Sequence, residues 1–258
     1  MDGLGVTVQP TSQANVLAGR TLVITRPAGT ARAMARQVRV RGGVPVLLPG
    51  LSLRAADDVA AARADMREAL DAELLLFTSP AAVRFAAALL PLATRATVLA
   101  VGQGTARALR RHGLSALAPG YRQDSEGLLA MPELQSLHGR CVALVGAPGG
   151  RGLLRDRLVT RGARLHEAHV YRRVPPRLGP RHVEAVRQLP ADARVLLSSA
   201  EALQNLRAVL PPSAWQRLCV ALAVVSSERL AAAARAAGFT RVRLAASARA
   251  SDLLAAAI

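Results

Sequence analysis

Aromatic residues are scarce in this chain: one Trp, two Tyr and three Phe make up 2% of 258 residues, although 51% are hydrophobic. The core must therefore be built from Ala, Leu and Val, and the stacking platforms that single-stranded nucleic acid requires are missing. Lysine does not occur. All 34 basic residues are arginine, set against 17 acidic ones, for a net charge of +17. The arginines are spread through every segment, which reads as a compositional bias favouring Ala and Arg together rather than as a nucleic-acid surface. The charge still suits polyanions, and the planar guanidinium fork suits carboxylates in particular.

Only two cysteines occur. Cys141 and Cys219 each lie in an apolar stretch that reads as a buried strand, so a disulfide framework is not expected. Long uncharged apolar runs are also absent, and with them the sequence mark of a membrane span. The N-terminus lacks the basic start and apolar run of a secretory signal, so residues 1–18 read as a loose polar extension and a cytoplasmic location is expected. His166 and His169 have metal-like spacing but no third or fourth ligand in a matching pattern, so they read as solvated histidines and no metal site is expected.

What the chain does have is a set of strand-to-helix turns that occurs twice. Thr25-Arg26-Pro27-Ala28-Gly29, running on to Arg41-Gly42-Gly43, reappears as Gly146-Ala147-Pro148-Gly149-Gly150 running on to Arg161-Gly162-Ala163. Phe77-Thr78-Ser79-Pro80-Ala81-Ala82-Val83 has its counterpart in Leu197-Ser198-Ser199-Ala200-Glu201-Ala202-Leu203, offset by 120 residues like Arg41 and Arg161. A third pair, Val101-Gly102-Gln103-Gly104-Thr105 and Val225-Ser226-Ser227-Glu228-Arg229, leads into Ala/Arg-rich helical stretches that stop at Gly113 and Gly238. Self-similarity on this scale predicts two related α/β domains, with a ligand cleft between the paired sheets.

Between these marks, short β-branched runs alternate with amphipathic ones. Strands are expected at Thr21–Thr25, Glu73–Thr78, Thr97–Val101, Ala116–Ala118, Cys141–Val145, Val195–Leu197, Val220–Val224 and Arg241–Ala245. Helices are expected after the Pro27–Gly29 turn as far as Arg41 and over Asp57–Leu70, Thr105–Arg111, Leu153–Arg161, His182–Gln188, Glu201–Val209 and Glu228–Ala237. Further helices open at Ser79-Pro80, at Ser125-Glu126 and at Ser251-Asp252. Val44–Leu53, broken by Pro45 and Pro49, reads as an edge strand or a crossing segment, and His166–Pro176 as a second extended crossing segment. Alternation at this spacing implies parallel sheets covered on both faces.

Nearly every small polar residue of the pattern sits in a strand-to-helix turn: Thr25, Ser79, Gly102, Thr105, Gly146, Ser198, Ser199, Ser226 and Ser227. Such turns lie at the carboxyl ends of parallel strands, where ligands bind, and helix-start amides favour anions. Capping alone explains any one of them; their repetition in both halves argues for a ligand site. Gly102-Gln103-Gly104 lacks the third glycine of a dinucleotide fingerprint, since Arg107 stands there, and Gly146–Gly152 lacks the Lys-Ser/Thr pair of a phosphate loop. No serine sits in a G-x-S-x-G elbow. Tyr171, within Val170-Tyr171-Arg172-Arg173, carries a phenol able to donate a proton to a leaving hydroxyl, and reads equally as an interfacial aromatic.

Taken in order, these segments resemble the uroporphyrinogen-III synthase family. The resemblance rests on Thr25-Arg26-Pro27, Phe77 to Val83, Val101-Gly102-x-x-Thr105, Asp124-Ser125-Glu126-Gly127-Leu128, the Gly149-Gly150-Arg151 turn, Val170-Tyr171-Arg172, Leu197-Ser198-Ser199 and Val225 to Arg229, and spans about residues 19 to 258. Leu197-Ser198-Ser199 departs from the Phe-Thr-Ser more typical of the family.

The resemblance implies two flavodoxin-like parallel-sheet α/β domains joined by a two-stranded extended hinge. Residues 19–48 and 174–258 would form one domain, 54–168 the inserted second, and 49–53 with 169–173 the connectors. It implies cyclisation of hydroxymethylbilane, a linear tetrapyrrole with eight carboxylates, with loss of water and inversion of the last pyrrole. Tyr171 and Thr105 would be the catalytic residues, and Arg26, Ser79, Gly102, Ser199, Ser226 and Ser227 would bind substrate. No cofactor or metal is required by this scheme. The enzyme would be a monomer with neither nucleic-acid nor membrane partners, in transient contact with the preceding pathway enzyme. Two other classes stay open: a two-domain binding or regulatory module without chemistry, and a basic nucleic-acid-associated protein.

Overall fold

The structure, a computed structural model, describes residues 15–149 and 152–258. Most of the N-terminal extension, residues 1–14, and the Gly150-Arg151 pair of the glycine turn lie outside the described residues. In chain order, β1 (Thr21–Ile24) leads through α1 (Ala28–Val40) to β2 (Val44–Leu47) and β3 (Ser52–Ala55). Next come α2 (Val59–Leu70), β4 (Leu74–Phe77), α3 (Pro80–Leu89), β5 (Thr97–Ala100), α4 (Gln103–Arg110), α5 (Ser125–Leu129), β6 (Cys141–Gly146), α6 (Leu153–Thr160) and β7 (Arg164–His169). β8 (Tyr171–Val174) is followed by α7 (Pro180–Arg187), β9 (Arg194–Leu197), α8 (Ala200–Val209), α9 (Pro212–Val220), β10 (Leu222–Val225), α10 (Glu228–Ala236), β11 (Val242–Leu244) and α11 (Ala250–Ala255).

The chain divides into two compact units, one holding the chain up to Ser52 with Val174–Ile258, the other Leu53–Arg173. The first unit has a parallel sheet in the order β11-β10-β9-β1-β2; the second has β5-β4-β6-β7, extended past β5 by a parallel bridge from Leu99 to Leu117. β3 and β8 pair as a separate two-stranded sheet. In the first unit, strands taken in chain order lie 2-1-3-4-5, the flavodoxin-like order. The second unit has the same order with its chain cut elsewhere: β7, β6, β4, β5 and Leu117 fill the places of β2, β1, β9, β10 and β11. The sequence repeat follows this equivalence. Thr25 and Gly146 stand at the carboxyl ends of matching strands, as do Thr78 and Ser198, each of them but Gly146 one residue past its strand, and Gly102 and Ser226 follow matching strands.

Both sheets are covered on two sides, and the strands show how. Side chains alternate between faces along a strand. Val23, Val195, Leu197, Ala223 and Val225 enter one core of the first unit, while Leu22, Ile24, Leu196 and Val224 enter the other. In the second unit Leu75, Phe77, Val98, Ala100, Ala143 and Val145 face one core, and Leu74, Leu76, Leu99, Val142 and Leu144 face the opposite one. Burial on both sides is what makes these strands apolar at every position. The helices follow their own period: α1 buries Ala31, Met34, Ala35 and Val38, a stripe at helical spacing. Leu17, within the expected extension, is fully buried in the first unit, with its N–H on the Arg41 carbonyl.

Several expectations need correction. Cys219 lies in α9, a helix that the sequence pattern does not show, rather than in a strand. Pro211-Pro212 reads as a turn, yet Pro212 sits in the first turn, where a missing N–H costs nothing. His166 belongs to β7, an edge strand of the sheet rather than a crossing segment, and the crossing strand is β8 alone. Its ring is half-buried against α2, with Nε2 2.8 Å from the Asp65 carbonyl and Nδ1 3.3 Å from Glu68, so it is not a solvated side chain. α5 is capped by Asp124 rather than by Ser125, through the Gly127 N–H at 2.9 Å. α4 starts at Gln103, ahead of Thr105.

Candidate active site

In an open parallel sheet, ligands bind outside the carboxyl ends of the strands, at the point where successive connections run off in opposite directions. In the second unit that point falls between β4 and β6, since β5 flanks one and β7 the other. A cavity of about 460 Å³ opens there, with Thr78 and Ser79 after β4 and Gly146, Ala147 and Gly149 at the end of β6. Glu167, His169, Tyr171 and Arg173 line it from β7 and β8, and Gly152 and Arg155 from the start of α6.

The floor of this crevice is built tightly. The Thr78 hydroxyl donates to the Val145 carbonyl at 3.1 Å, tying β4 to β6. Thr25 does the same in the first unit, donating to Leu196 at 2.7 Å and tying β1 to β9. Gly149 and Gly152 take positive φ of 72° and 64°, a left-handed backbone on either side of the undescribed pair. The Arg173 guanidinium donates to the Pro148 carbonyl at 3.1 Å and so holds this turn. Arg155 Nε lies 3.5 Å and His169 Nε2 3.8 Å from the Glu167 carboxylate. Two arginines and a histidine beside a single acid give a wall suited to carboxylate groups.

Tyr171 is the aromatic of the site. It is 7% exposed, stacks on Phe85 with centroids 5.3 Å apart and planes at 13°, and brings its hydroxyl to 3.3 Å from Ser79 Oγ. Phe85 in turn lies under the Arg84 guanidinium, 4.8 Å from its ring centre. Helix α3 thus supplies both contacts to the tyrosine, Ser79 from its cap and Phe85 from its second turn. Ser79 also accepts the Ala82 N–H at 3.0 Å, and Pro80 occupies the first helical position.

Ser79 and Tyr171 are therefore brought together on one cavity. Gly102 and Thr105, both buried, sit one strand over, after β5, and the described residues lining the cavity do not include them. The start of α4 is met instead by Gln123, whose side-chain oxygen accepts the Gln103 N–H at 3.2 Å. The remaining candidates lie in the first unit. Ser199 and Ser227 cap α8 and α10 by accepting from Ala202 and Leu230, and Ser226 is half-buried beyond β10. Arg26 donates to the Ala248 carbonyl. Its Nε is buried without a hydrogen-bond partner, and burial lowers the pKa of its guanidinium.

Gln123, Arg155 and Glu167 are not expected from the sequence. Gln123 is a loop residue, and Arg155 and Glu167 are ordinary charged positions of a helix and an edge strand, so nothing in their local pattern marks them. Thr78 is visible inside the repeated Phe77-Thr78-Ser79 turn. Among the described residues, no group of three His, Cys, Asp or Glu side chains is placed to hold a metal, and no helix is long and apolar enough to cross a membrane.

Comparison with known proteins gives a consistent picture. Residues 32–255 match the family model described as uroporphyrinogen-III synthase HemD. The chain is 30% identical over 235 residues to a uroporphyrinogen-III synthase of Escherichia coli K12, covering 87% of this chain and 94% of the relative. Two solved structures share the fold. A mutant uroporphyrinogen III synthase of the extreme thermophile Thermus thermophilus has a TM-score of 0.58 at 23% identity, over 92% of this chain and 96% of that one. A uroporphyrinogen-III synthetase of Helicobacter pylori has a TM-score of 0.59 at 15% identity, over 92% and 97%.

Proposed function

The chain belongs to the uroporphyrinogen-III synthase family, and from that membership we propose how its residues divide the work of the reaction. The substrate is hydroxymethylbilane, which is closed to uroporphyrinogen III with loss of water and inversion of the last pyrrole. The non-catalytic binding-module reading is not favoured.

Tyr171 is the acid that assists departure of the substrate hydroxyl. The observation that carries this assignment is the Ser79–Tyr171 contact on the cavity at the switch point of the second sheet. Loss of hydroxide from carbon is difficult, and loss of water from the protonated hydroxyl is easy, so a phenol aimed at that oxygen lowers the barrier by donating its proton there. The cation left on the terminal pyrrole is attacked within a substrate held folded, through a spiro intermediate that leads to the inverted ring. Carboxylates of the bilane are taken by Gly102, Ser199, Ser226, Ser227 and Arg26, with Thr105 as a further polar contact, while Ser79 stands at the phenol of Tyr171. The enzyme works as a cytoplasmic monomer.

The test is a coupled assay fed with freshly generated hydroxymethylbilane, its oxidised products separated by isomer. Predominantly type III product is expected, whereas type I alone, as in the enzyme-free control, would overturn the assignment. Tyr171→Phe should lower kcat by about 10²-fold or more with KM little changed. Wild-type turnover in that variant would remove Tyr171 from the chemistry.

A further inference from the structure

The contacts of Ser79 point beyond substrate binding. Its Oγ accepts the Ala82 N–H at 3.0 Å from the first turn of α3 and stands 3.3 Å from the Tyr171 hydroxyl. A serine hydroxyl has two lone pairs and one proton. The helix amide takes one lone pair, which leaves the proton free for the phenol oxygen. Accepting from an amide at a helix N-terminus polarises the hydroxyl and makes it a better donor.

We infer that Ser79 is a positioning residue for Tyr171, donating its hydroxyl proton to the phenol oxygen and bringing the N-terminus of α3 to bear on that oxygen as it loses its own proton. This rests on the assignment of Tyr171 above. In the step, the substrate C–O bond breaks with its electron pair going to oxygen, the phenol proton joins that oxygen, and water departs. The phenolate oxygen is then held by the Ser79 O–H. It regains a proton from the pyrrole carbon whose C–H bond is replaced by the new C–C bond, so the net change is loss of one water.

The distance supports this order of events. At 3.3 Å the contact is slack, beyond the about 2.5–3.0 Å of a good O–H···O bond, while hydrogen bonds to an ionised oxygen shorten to about 2.5–2.7 Å. An interaction that is weak with the neutral phenol and strong with the phenolate acts on the transition state more than on the bound substrate. The stack on Phe85, from the same helix, fixes the ring plane while the oxygen changes charge.

The experiment is a kinetic double-mutant cycle, with kcat and KM measured on freshly generated hydroxymethylbilane for wild type, Ser79→Ala, Tyr171→Phe and the double variant. Ser79→Ala should lower kcat roughly 10- to 100-fold, the range for a hydrogen bond to a charged group, with KM changing far less. In the Tyr171→Phe background the same substitution should have almost no further effect on kcat. Ser79→Thr should restore most of the rate. Ser79→Asp, which caps α3 as well as serine but only accepts when ionised, should keep the melting temperature yet not restore kcat. Independent, multiplying losses in the double variant, a loss confined to KM, or full rescue by Asp would overturn the inference while leaving Tyr171 in place. A Tyr171→Phe enzyme as fast as wild type would overturn the Tyr171 assignment itself and the inference with it.

Discussion

A methyl group added at Gly146 would stand 2.6 Å from the Thr78 hydroxyl oxygen, closer than any carbon and oxygen normally approach without a bond. That hydroxyl is engaged with Val145 and helps set the spacing of β4 and β6. Gly146→Ala should therefore destabilise the protein by about 1–3 kcal/mol, the usual cost of overpacking. Adding Thr78→Ala to it should recover part of that loss, with a coupling above about 0.5 kcal/mol in urea unfolding. Strict additivity of the two substitutions would show that the glycine answers to something other than the threonine. The same scale decides the thiols. Burial pushes the Cys219 thiol up to about 11, against the opposing charge of Arg207, and the residue is 8% exposed. A raised value holds the neutral thiol, so its contribution to stability is complete below its ordinary 9.0 and is lost as pH rises through about 11. Mass spectrometry after alkylation at pH 8 should find native Cys219 unmodified, and rapid labelling would contradict the burial. Individual residues are legible in the sequence where their job is local. Ser79, Ser199 and Ser227 read as caps and are caps. Thr25 and Thr78 instead donate across to a neighbouring strand, and Gln123 reaches α4 from a distant loop, relations fixed by topology and invisible in a local pattern.

Elements are legible where both faces of a strand are buried or a helix shows one clean apolar stripe. β4 is buried at all four positions and reads plainly as a strand. β7, the sequence RLHEAH, carries charged and titratable side chains along a sheet edge, so its apolar signal is too thin to separate it from a linker. α9 is hidden by the two prolines at its start. α5 shows how few residues hold a short helix: its five residues depend on the Asp124 side chain, which also meets Arg122 at 2.7 Å. Burial pushes the Asp124 carboxyl up, but the Arg122 hydrogen bond, the Gly127 N–H and the Arg122 charge outweigh it and leave it below its ordinary value. The ionised form is thus favoured on folding. Its contribution is present above pH 3.8 and disappears as pH falls through the lowered value. Asp124→Ala should cost about 1 kcal/mol at neutral pH, as loss of a cap does. Asp124→Asn, which keeps the cap, should cost less and should flatten the acid limb of the stability curve. An Asn variant as unstable as the Ala variant would show that charge, and not capping, holds α5.

At the scale of the whole molecule, the repeat read from the sequence and the sheet order seen in the structure carry one statement: the same five-strand arrangement occurs twice, with the chain entering it at different points. Equivalent turns fall about 120 residues apart because the second unit is interposed between β2 and β9, splitting the first unit's matching turns around it. Parallel strands need crossovers, and every crossover of the second sheet lies inside Leu53–Arg173. Both of its cores draw only on residues of that segment, and the segment of about 120 residues is of ordinary domain size. Its two ends fall within β3 and β8, which are neighbours in one small sheet, so cutting there separates no strand from its crossover. Residues 53–173 expressed alone should therefore fold, giving dispersed amide resonances and a single cooperative thermal transition, without turnover. The first unit makes the complementary case, since its strands come from two stretches that only the second unit connects. Joining Ser52 to Val174 through a linker of about four residues, enough to span two adjacent strands, should leave it folded. Folding of the inserted segment together with collapse of the spliced unit would mean that the first sheet needs its insert to bring β1 and β9 together. If both fold, each sheet specifies its own core.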